Sequence, residues 1–252
     1  MIEGFRKRLK SRETLIGTLI TLGSPEVAEI LAGAGFDWLF IDMEHGPLHS
    51  QTVQAILQGA GTQTPCLVRV PCNAEVWFKQ ALDIGSAGVI VPQVNSKLEA
   101  ENAVKWCRYP PIGNRSVGVG RAHGYGASLQ SYIDCANEQI SLVVQVEHIQ
   151  AVENVEEILT VPGLDAILIG PYDLSASMGK PGKVSDPDVQ EAIRKVRDAC
   201  WEHSMPIGIF GAVAEGVEVF MKQGFSLIAV GTDTIFLDGA ARKTLNLLGR
   251  GR

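Results

Sequence analysis

The sequence predicts a single-domain α/β protein, a (β/α)8 TIM barrel, from three observations. Apolar strand-like runs alternate with amphipathic helical patterns along the whole chain, and eight such runs occur. The 252 residues match the roughly 250 residues of one such barrel. No linker or low-complexity tract interrupts the alternation, so one domain over residues 1–252 is expected. An open doubly wound sheet is the alternative, because closure of a sheet leaves no mark in a sequence.

The eight predicted strands are near-continuous apolar runs, as is typical of strands buried on both faces of a parallel sheet. They cover residues 15–22, 38–42, 66–70, 88–91, 142–147, 166–170, 206–210 and 226–230. Helical patterns with recognisable starts separate them. Ser24 and Asp186 each precede a proline, the order expected of a helix cap and its first residue. Ser96 and Glu99 have the spacing of a capping box.

Composition excludes several classes of function. The net charge of −6 and the absence of a long basic run argue against nucleic-acid binding. No apolar run approaches the roughly 20 residues of a membrane helix. Five cysteines without a Cys-x-x-Cys spacing predict free thiols and a cytoplasmic location. The basic segment 1–10 is followed by no signal-like apolar stretch, and it predicts a short helix with Phe5 and Leu9 on one face.

Acidic residues and a histidine gather where predicted strands end. Glu147 closes one strand, Asp173 follows another, and Asp42 and His45 follow a third. In a barrel the carboxyl ends of all strands meet at one mouth, so these groups are expected to converge there. Carboxylates of this kind suit a hard divalent cation, with the histidine as a base beside it. Taken singly, a strand-end carboxylate is more often a helix cap, and Asp173 has that alternative.

The ligand types indicate a chemistry. Two carboxylates leave most positions of a six-coordinate cation open to water and a chelating substrate. A 2-oxo acid can chelate through its carboxylate and keto oxygen, and the metal then stabilises the enolate formed when a C3 proton or the C3–C4 bond is lost. Arg69 interrupts an apolar strand at its end and could bind the enolate oxygen; a surface-directed residue is the alternative. No lysine lies at a predicted strand end, which argues against Schiff-base chemistry.

Two connections are longer than usual, residues 107–140 and 174–185. The first is glycine-rich and carries Arg115 and Arg121. If it follows the fourth strand on the catalytic face, it could form a lid over an anionic substrate. An ordered packing arm or a subunit contact is the alternative, and the sequence leaves both open.

Six separated motifs resemble those of the HpcH/HpaI aldolases, metal-dependent pyruvate aldolases built on a (β/α)8 barrel. They occur in the family's order and span nearly the whole chain. The motifs are Asp42-Met-Glu-His-Gly-Pro47, Gly88-Val-Ile-Val-Pro-Gln93, Arg108-Tyr-Pro-Pro111, Arg121-Ala122 with Tyr125-Gly126, Gln145-Val-Glu147 and Gly170-Pro-Tyr-Asp-Leu-Ser175. One departure is His49, at a position where family members often carry a short acidic or amide residue, and it could alter the aldehyde pocket.

The resemblance implies a role for each strand-end residue. It makes His45 the proton-relay base, Arg69 the group that stabilises the transition state, and Glu147 with Asp173 the metal ligands. The metal would be magnesium, manganese or cobalt, all of which accept oxygen ligands. The catalytic set also includes Asp42 and Asp83, and the substrate-binding set comprises Gln145, Gly170, Pro171, Tyr172 and Asp173.

Asp83 is the residue that the resemblance places in a neighbouring subunit. It matches an aspartate that raises the basicity of the active-site histidine, yet it is predicted late on a helix, far from its own barrel mouth. The alternative is a solvated helix-end charge. Family members are oligomers, commonly hexamers, and the apolar residues of segment 234–248 exceed one narrow stripe. A homo-oligomer with this C-terminal helix packed on a neighbour is therefore expected.

The function implied is that of a carbon–carbon lyase. It would cleave a 4-hydroxy-2-oxo acid to pyruvate plus an aldehyde through a metal-stabilised pyruvate enolate. An oxaloacetate decarboxylase or a citrate-forming synthase on the same site is the alternative. A barrel that binds a metabolite without turnover is more remote, since a pure binder has no need of a base beside a metal.

Overall fold

Eight parallel strands close into a barrel in chain order in the computed structural model, which describes residues 4–251. The strands are β1 Leu15–Ile20, β2 Trp38–Asp42, β3 Cys66–Arg69, β4 Gly88–Val91, β5 Ser141–Val146, β6 Ala166–Ile169, β7 Ile207–Gly211 and β8 Leu227–Thr232. Leu15 of β1 pairs with Leu227 of β8, which closes the sheet. The predicted barrel is confirmed and the open-sheet alternative is wrong. The predicted strands differ from the observed ones only by a residue or two at their ends.

Helices follow the strands and form the outer layer, apart from the first helix, which precedes β1. They are α1 Phe5–Lys10, α2 Pro25–Gly33, α3 Ser50–Gly59, α4 Glu75–Asp83, α5 Lys97–Cys107, α6 Leu129–Gln139, α7 Ile149–Glu153, α8 Val155–Leu159, α9 Pro171–Ser177, α10 Pro187–Glu202, α11 Ala214–Lys222 and α12 Asp233–Leu247. Ser24, Ser96 and Asp186 accept backbone N–H groups as N-caps, as predicted. The capping box is incomplete, because the Glu99 carboxylate accepts the N–H of Asn95 instead of that of Ser96.

The core has two layers. Inside the barrel, residues such as Leu67, Ile90 and Leu168 pack together, and α1 covers one end by burying Phe5 and Leu9. This confirms the predicted helix face; residues 1–3 of the predicted helix lie outside the described residues. A larger layer packs the strands against the helices. All five cysteines are free, as expected.

The long connection after α5 lies at the amino-terminal end of the barrel, away from the mouth. Arg108 binds Asp165, just before β6, and Arg121 binds the carbonyl of Ile84, just after α4. The expectation that this segment lies on the catalytic face is wrong, because it follows a helix and not a strand. Of its two alternatives, the packing arm fits the contacts within one chain.

The C-terminal helix α12 stands almost free of its own barrel. Asp233 is buried, whereas residues 234–247 are all exposed. Leu237, Leu247 and Leu248 expose 65%, 79% and 71% of their surface. This matches the apolar excess seen in the sequence, and packing on a neighbour stays a prediction. Across residues 4–251, no helix has the length and apolar character needed to cross a membrane.

Candidate active site

Arg69 and Asp42 form a buried ion pair at the ends of β3 and β2, where the register places them side by side. Arg69 donates from Nε to Oδ1 at 2.9 Å and from Nη2 to Oδ2 at 2.7 Å. Burial alone would raise the pKa of Asp42, but the hydrogen bonds and charge of Arg69 bring it below its ordinary value. Asp42 is therefore an ionised partner that fixes the guanidinium, and it is poorly suited to act as a base.

The remaining guanidinium nitrogen of Arg69 faces two further polar side chains. Nη1 lies 3.3 Å from Oε1 of Gln145 and 3.1 Å from Oε2 of Glu44. The Glu44 contact is an ion pair without hydrogen-bond geometry, so that oxygen has no hydrogen-bond partner. Burial raises the pKa of Glu44. No role was predicted for Glu44 from the sequence, although its place beside His45 in the strand-end cluster was the available signal.

Glu147 follows β5 and is held by two donors. The backbone N–H of Gln93 donates to Oε1 at 2.8 Å, and Nε2 of Gln145 donates to Oε2 at 2.6 Å. The residue is only 1% exposed. Burial raises the pKa of Glu147 to about 7, opposed by the Gln93 hydrogen bond. The negative charges of Glu44 and Asp173 act in the same direction as burial.

The turn between β6 and α9 brings backbone and a carboxylate to the same place. A Cβ on Gly170 would lie 2.8 Å from Oε2 of Glu147, so only glycine fits beside that carboxylate. Gly170 is also the N-cap position of α9, and Asp173 lies in the first turn. The alternative of Asp173 as the helix cap is therefore wrong, because the helix begins before it.

These groups surround a cavity of about 150 Å³ at the barrel mouth. Its lining residues are Leu19, Phe40, His45, Arg69, Gln145, Leu168, Ile169, Gly170, Pro171, Tyr172, Asp173 and Phe210. The His45 side chain is 64% exposed, and its Nε2 lies 3.9 Å from Oε2 of Glu44. The structure thus brings together every predicted site residue except Asp83, since Asp42 and Glu147 bind side chains of the lining. Their catalytic roles stay predictions.

Asp83 lies at the opposite end of the barrel, at the last residue of α4. Its Oδ1 accepts a hydrogen bond of 2.7 Å from Nη2 of Arg115. The Arg115 guanidinium is buried over the rings of Tyr109 and Tyr132, 4.6 and 5.5 Å from their centroids. Within one chain Asp83 cannot reach His45, so its predicted role requires a second copy.

Two further histidines lie outside the cavity. His123 is fully buried, and its Nε2 lies 3.1 Å from the hydroxyl of Tyr109. His49 caps α3 by accepting the N–H of Thr52. The proposed influence of His49 on the aldehyde pocket stays a prediction.

The donor set fits a hard divalent cation. Four carboxylates, those of Asp42, Glu44, Glu147 and Asp173, surround one guanidinium, that of Arg69, so the site has excess negative charge. A cation would neutralise the buried Glu147. Among residues 4–251, no group of three or more His, Cys, Asp or Glu side chains forms a complete metal cage. Two protein oxygens with open positions suit a metal that also binds substrate.

Comparison with known proteins agrees with this geometry. The family model described as HpcH/HpaI aldolase/citrate lyase matches residues 16–238. The chain is 39% identical over 239 residues to a 2-dehydro-3,6-dideoxy-6-sulfogluconate aldolase of Pseudomonas putida, covering 94% of this chain and 93% of the relative. It is also 39% identical over 251 residues to a 4-hydroxy-2-oxovalerate aldolase of Rhodococcus jostii (strain RHA1), covering 99% and 96%.

A solved structure shows the same fold over nearly the same length. The crystal structure of an HpcH/HpaI aldolase/citrate lyase family protein from Burkholderia cenocepacia J2315 superposes with a TM-score of 0.94 at 35% identity, covering 97% of this chain and 98% of that one. The predictions of family and of aldolase activity are confirmed, and the non-catalytic alternative finds no support. This chain belongs to the HpcH/HpaI aldolase/citrate lyase family and is a carbon–carbon lyase.

Proposed function

We propose that the protein cleaves a 4-hydroxy-2-oxo acid to pyruvate and an aldehyde with the help of a divalent cation, magnesium, manganese or cobalt. The observation that carries the proposal is the buried carboxylate of Glu147, which shares one small cavity region with Asp173, Arg69 and Gln145. Such a carboxylate is costly to bury in charged form unless a cation accompanies it.

Glu147 and Asp173 would hold the cation. When bound, it would stabilise the negative charge that develops on the 2-oxo group during cleavage. The protein supplies rigid ligands, because both oxygens of Glu147 already accept hydrogen bonds. Asp173 is fixed differently, by its position in the first turn of α9.

Arg69 and Gln145 orient the 2-oxo acid. Asp42 accepts from Nε and Nη2 on one edge of the Arg69 guanidinium, which leaves Nη1 on the side of Gln145 and the cavity. A fixed guanidinium can donate to the substrate oxygen without reorganisation as charge develops there. Gly170 allows backbone and substrate to approach this region closely.

His45 takes the proton of the 4-hydroxyl group. Its ring borders the cavity and is open to solvent, as a group that exchanges protons with substrate should be. In its own barrel the nearby acid is Glu44, at 3.9 Å. Asp83 of a second copy would complete the site, so we also propose a homo-oligomer, a hexamer, in which α12 packs on a neighbouring subunit.

The test is an assay of pyruvate release with a panel of 4-hydroxy-2-oxo acids and with oxaloacetate. We expect cleavage of the 4-hydroxy-2-oxo acids, loss of activity with chelator, and recovery with Mg²⁺, Mn²⁺ or Co²⁺. Full activity of metal-free protein would contradict the proposal. Turnover of oxaloacetate alone would favour a decarboxylase, and citrate formation would favour a synthase on the same site.

A further inference from the structure

Gln93, two residues after the end of β4, has an unusual backbone conformation. Gln93 has a φ of 53°, in the left-handed region that residues other than glycine, asparagine and aspartate rarely adopt. Within residues 4–251, three other non-glycine residues share this feature: Arg12, Tyr125 and Ser204. Arg12 and Ser204 directly follow helix C-caps, where left-handed residues are common, and Tyr125 lies in a 3-10 turn. Gln93 follows a strand and not a helix C-cap, so a helix end does not explain its positive φ.

The backbone N–H of this left-handed residue is directed at the buried carboxylate of Glu147. That group donates to Oε1 of Glu147 at 2.8 Å, from the turn after β4 to the residue that follows β5. The Gln93 side chain is exposed, and its amide oxygen has only a long contact of 3.5 Å with Nδ2 of Asn95. The backbone of this residue therefore contacts the buried carboxylate, and the side chain does not.

The surroundings hold this turn in place on both sides. Val91 ends β4 and Val94 is fully buried. Asn95 then donates its N–H to Glu99 at 2.7 Å and accepts a hydrogen bond from Asn154 at 2.8 Å. A strained residue persists only where neighbouring contacts determine its conformation in this way, and such residues cluster at functional sites.

We propose that Gln93 is a positioning residue for Glu147, and that its left-handed backbone conformation, not its side chain, sets the affinity of the site for a divalent cation. The inference rests on the proposed metal site. Oε2 of Glu147 is held by Gln145 and confined by Gly170, so the Gln93 N–H fixes the carboxylate plane from the other side. A backbone donor cannot rotate away as a side-chain donor can.

The test compares substitutions by their tolerance of positive φ. Gln93→Gly keeps the N–H and relaxes the strain, and we expect Mn²⁺ affinity within about twofold of the unsubstituted protein. Gln93→Val disfavours positive φ, and we expect Mn²⁺ affinity about 10- to 100-fold lower, the range for loss of an outer-shell partner. Gln93→Ala should fall between them. Free Mn²⁺ is counted by electron paramagnetic resonance, without any activity measurement.

Ser204→Val is the matched control. Ser204 has a φ of 57° and lies after α10, in the connection to β7 and away from the mouth. The Ser204→Val substitution should lower thermal stability as Gln93→Val does, but leave Mn²⁺ affinity unchanged. Equal affinity in Gln93→Val and the unsubstituted chain would overturn the inference, as would a loss in Gln93→Gly as large as in Gln93→Val. If the unsubstituted chain binds no Mn²⁺, the metal site itself is wrong, and this inference with it.

Discussion

Arg69 and Asp42 stand side by side on neighbouring strands and share two hydrogen bonds, of 2.9 and 2.7 Å. Both side chains are buried, at 9% and 3% exposure. The pair presents a fixed guanidinium to the cavity, and it also makes each partner depend on the other, because an unpaired buried charge is costly.

Removing one partner should therefore affect both stability and catalysis. We expect Asp42→Ala to lower the free energy of unfolding by about 3–5 kcal/mol, since buried Arg69 loses its hydrogen-bonded counter-ion and keeps only the Glu44 contact, which lacks hydrogen-bond geometry. Denaturant unfolding measures this. The double substitution Asp42→Leu with Arg69→Met should recover much of the stability and none of the activity. Wild-type stability and kcat/KM in Asp42→Ala would show that the pair does not position the guanidinium.

The pKa of Glu147 predicts how metal-free protein responds to pH. Because burial raises this pKa from 4.5 to about 7, the neutral acid is favoured in the folded state. Stability from this group is present below the unfolded pKa of 4.5. It is lost as the pH rises from that value through about 7, by about 1.4 kcal/mol for each pH unit between the two. Glu147→Gln removes the effect, so its advantage in Tm over the unsubstituted protein should grow between pH 5 and pH 8 in chelator.

Addition of Mn²⁺ provides the control for that measurement. The cation should raise the Tm of the unsubstituted protein at pH 8 and have little effect on Glu147→Gln, which has lost a charged ligand. A difference in Tm that does not change with pH would contradict the raised pKa of Glu147 as the cause.

His45 should be required for turnover and not for binding. A general base contributes about 10²–10⁴-fold, so His45→Ala should lower kcat by at least that range. Because His45 is mostly exposed and Glu147 and Asp173 are untouched, Mn²⁺ affinity and thermal stability should stay near those of the unsubstituted protein. Near-normal turnover would mean that another group removes the proton; buried His123 is a poor candidate for that role.

Asp83 should act from a second subunit. Asp83→Asn and His45→Ala are each expected to be poorly active, the first because the histidine would lose its acidic partner. If the two groups come from different chains, unfolding and reassembling an equal mixture should restore about a quarter of the sites. A mixture no more active than its components, or an active monomer by light scattering, would return Asp83 to a structural role as the partner of Arg115.

Local pattern in the sequence determined the barrel and the position of the mouth. Buried parallel strands are continuous apolar runs, and helix starts carry Ser24, Ser96 or Asp186, so eight units could be counted without a structure. Since all strands of such a barrel run the same way, residues at their ends had to converge. His45, Arg69 and Asp173 were expected at the cavity on this ground, whereas Gln145 and residues 170–172 were expected there from the family resemblance.

Only the tertiary structure decided how those side chains pair. The register of β2 against β3 joins Arg69 to Asp42, and the proximity of β4 to the end of β5 joins the Gln93 N–H to Glu147. Neither pairing has a signature in the sequence, because it depends on residues far apart in the chain. Likewise the packing of Arg115 against α4 placed the long connection at the amino-terminal end. Local sequence sets the elements, whereas contacts between distant residues set the charges and orientations that chemistry requires.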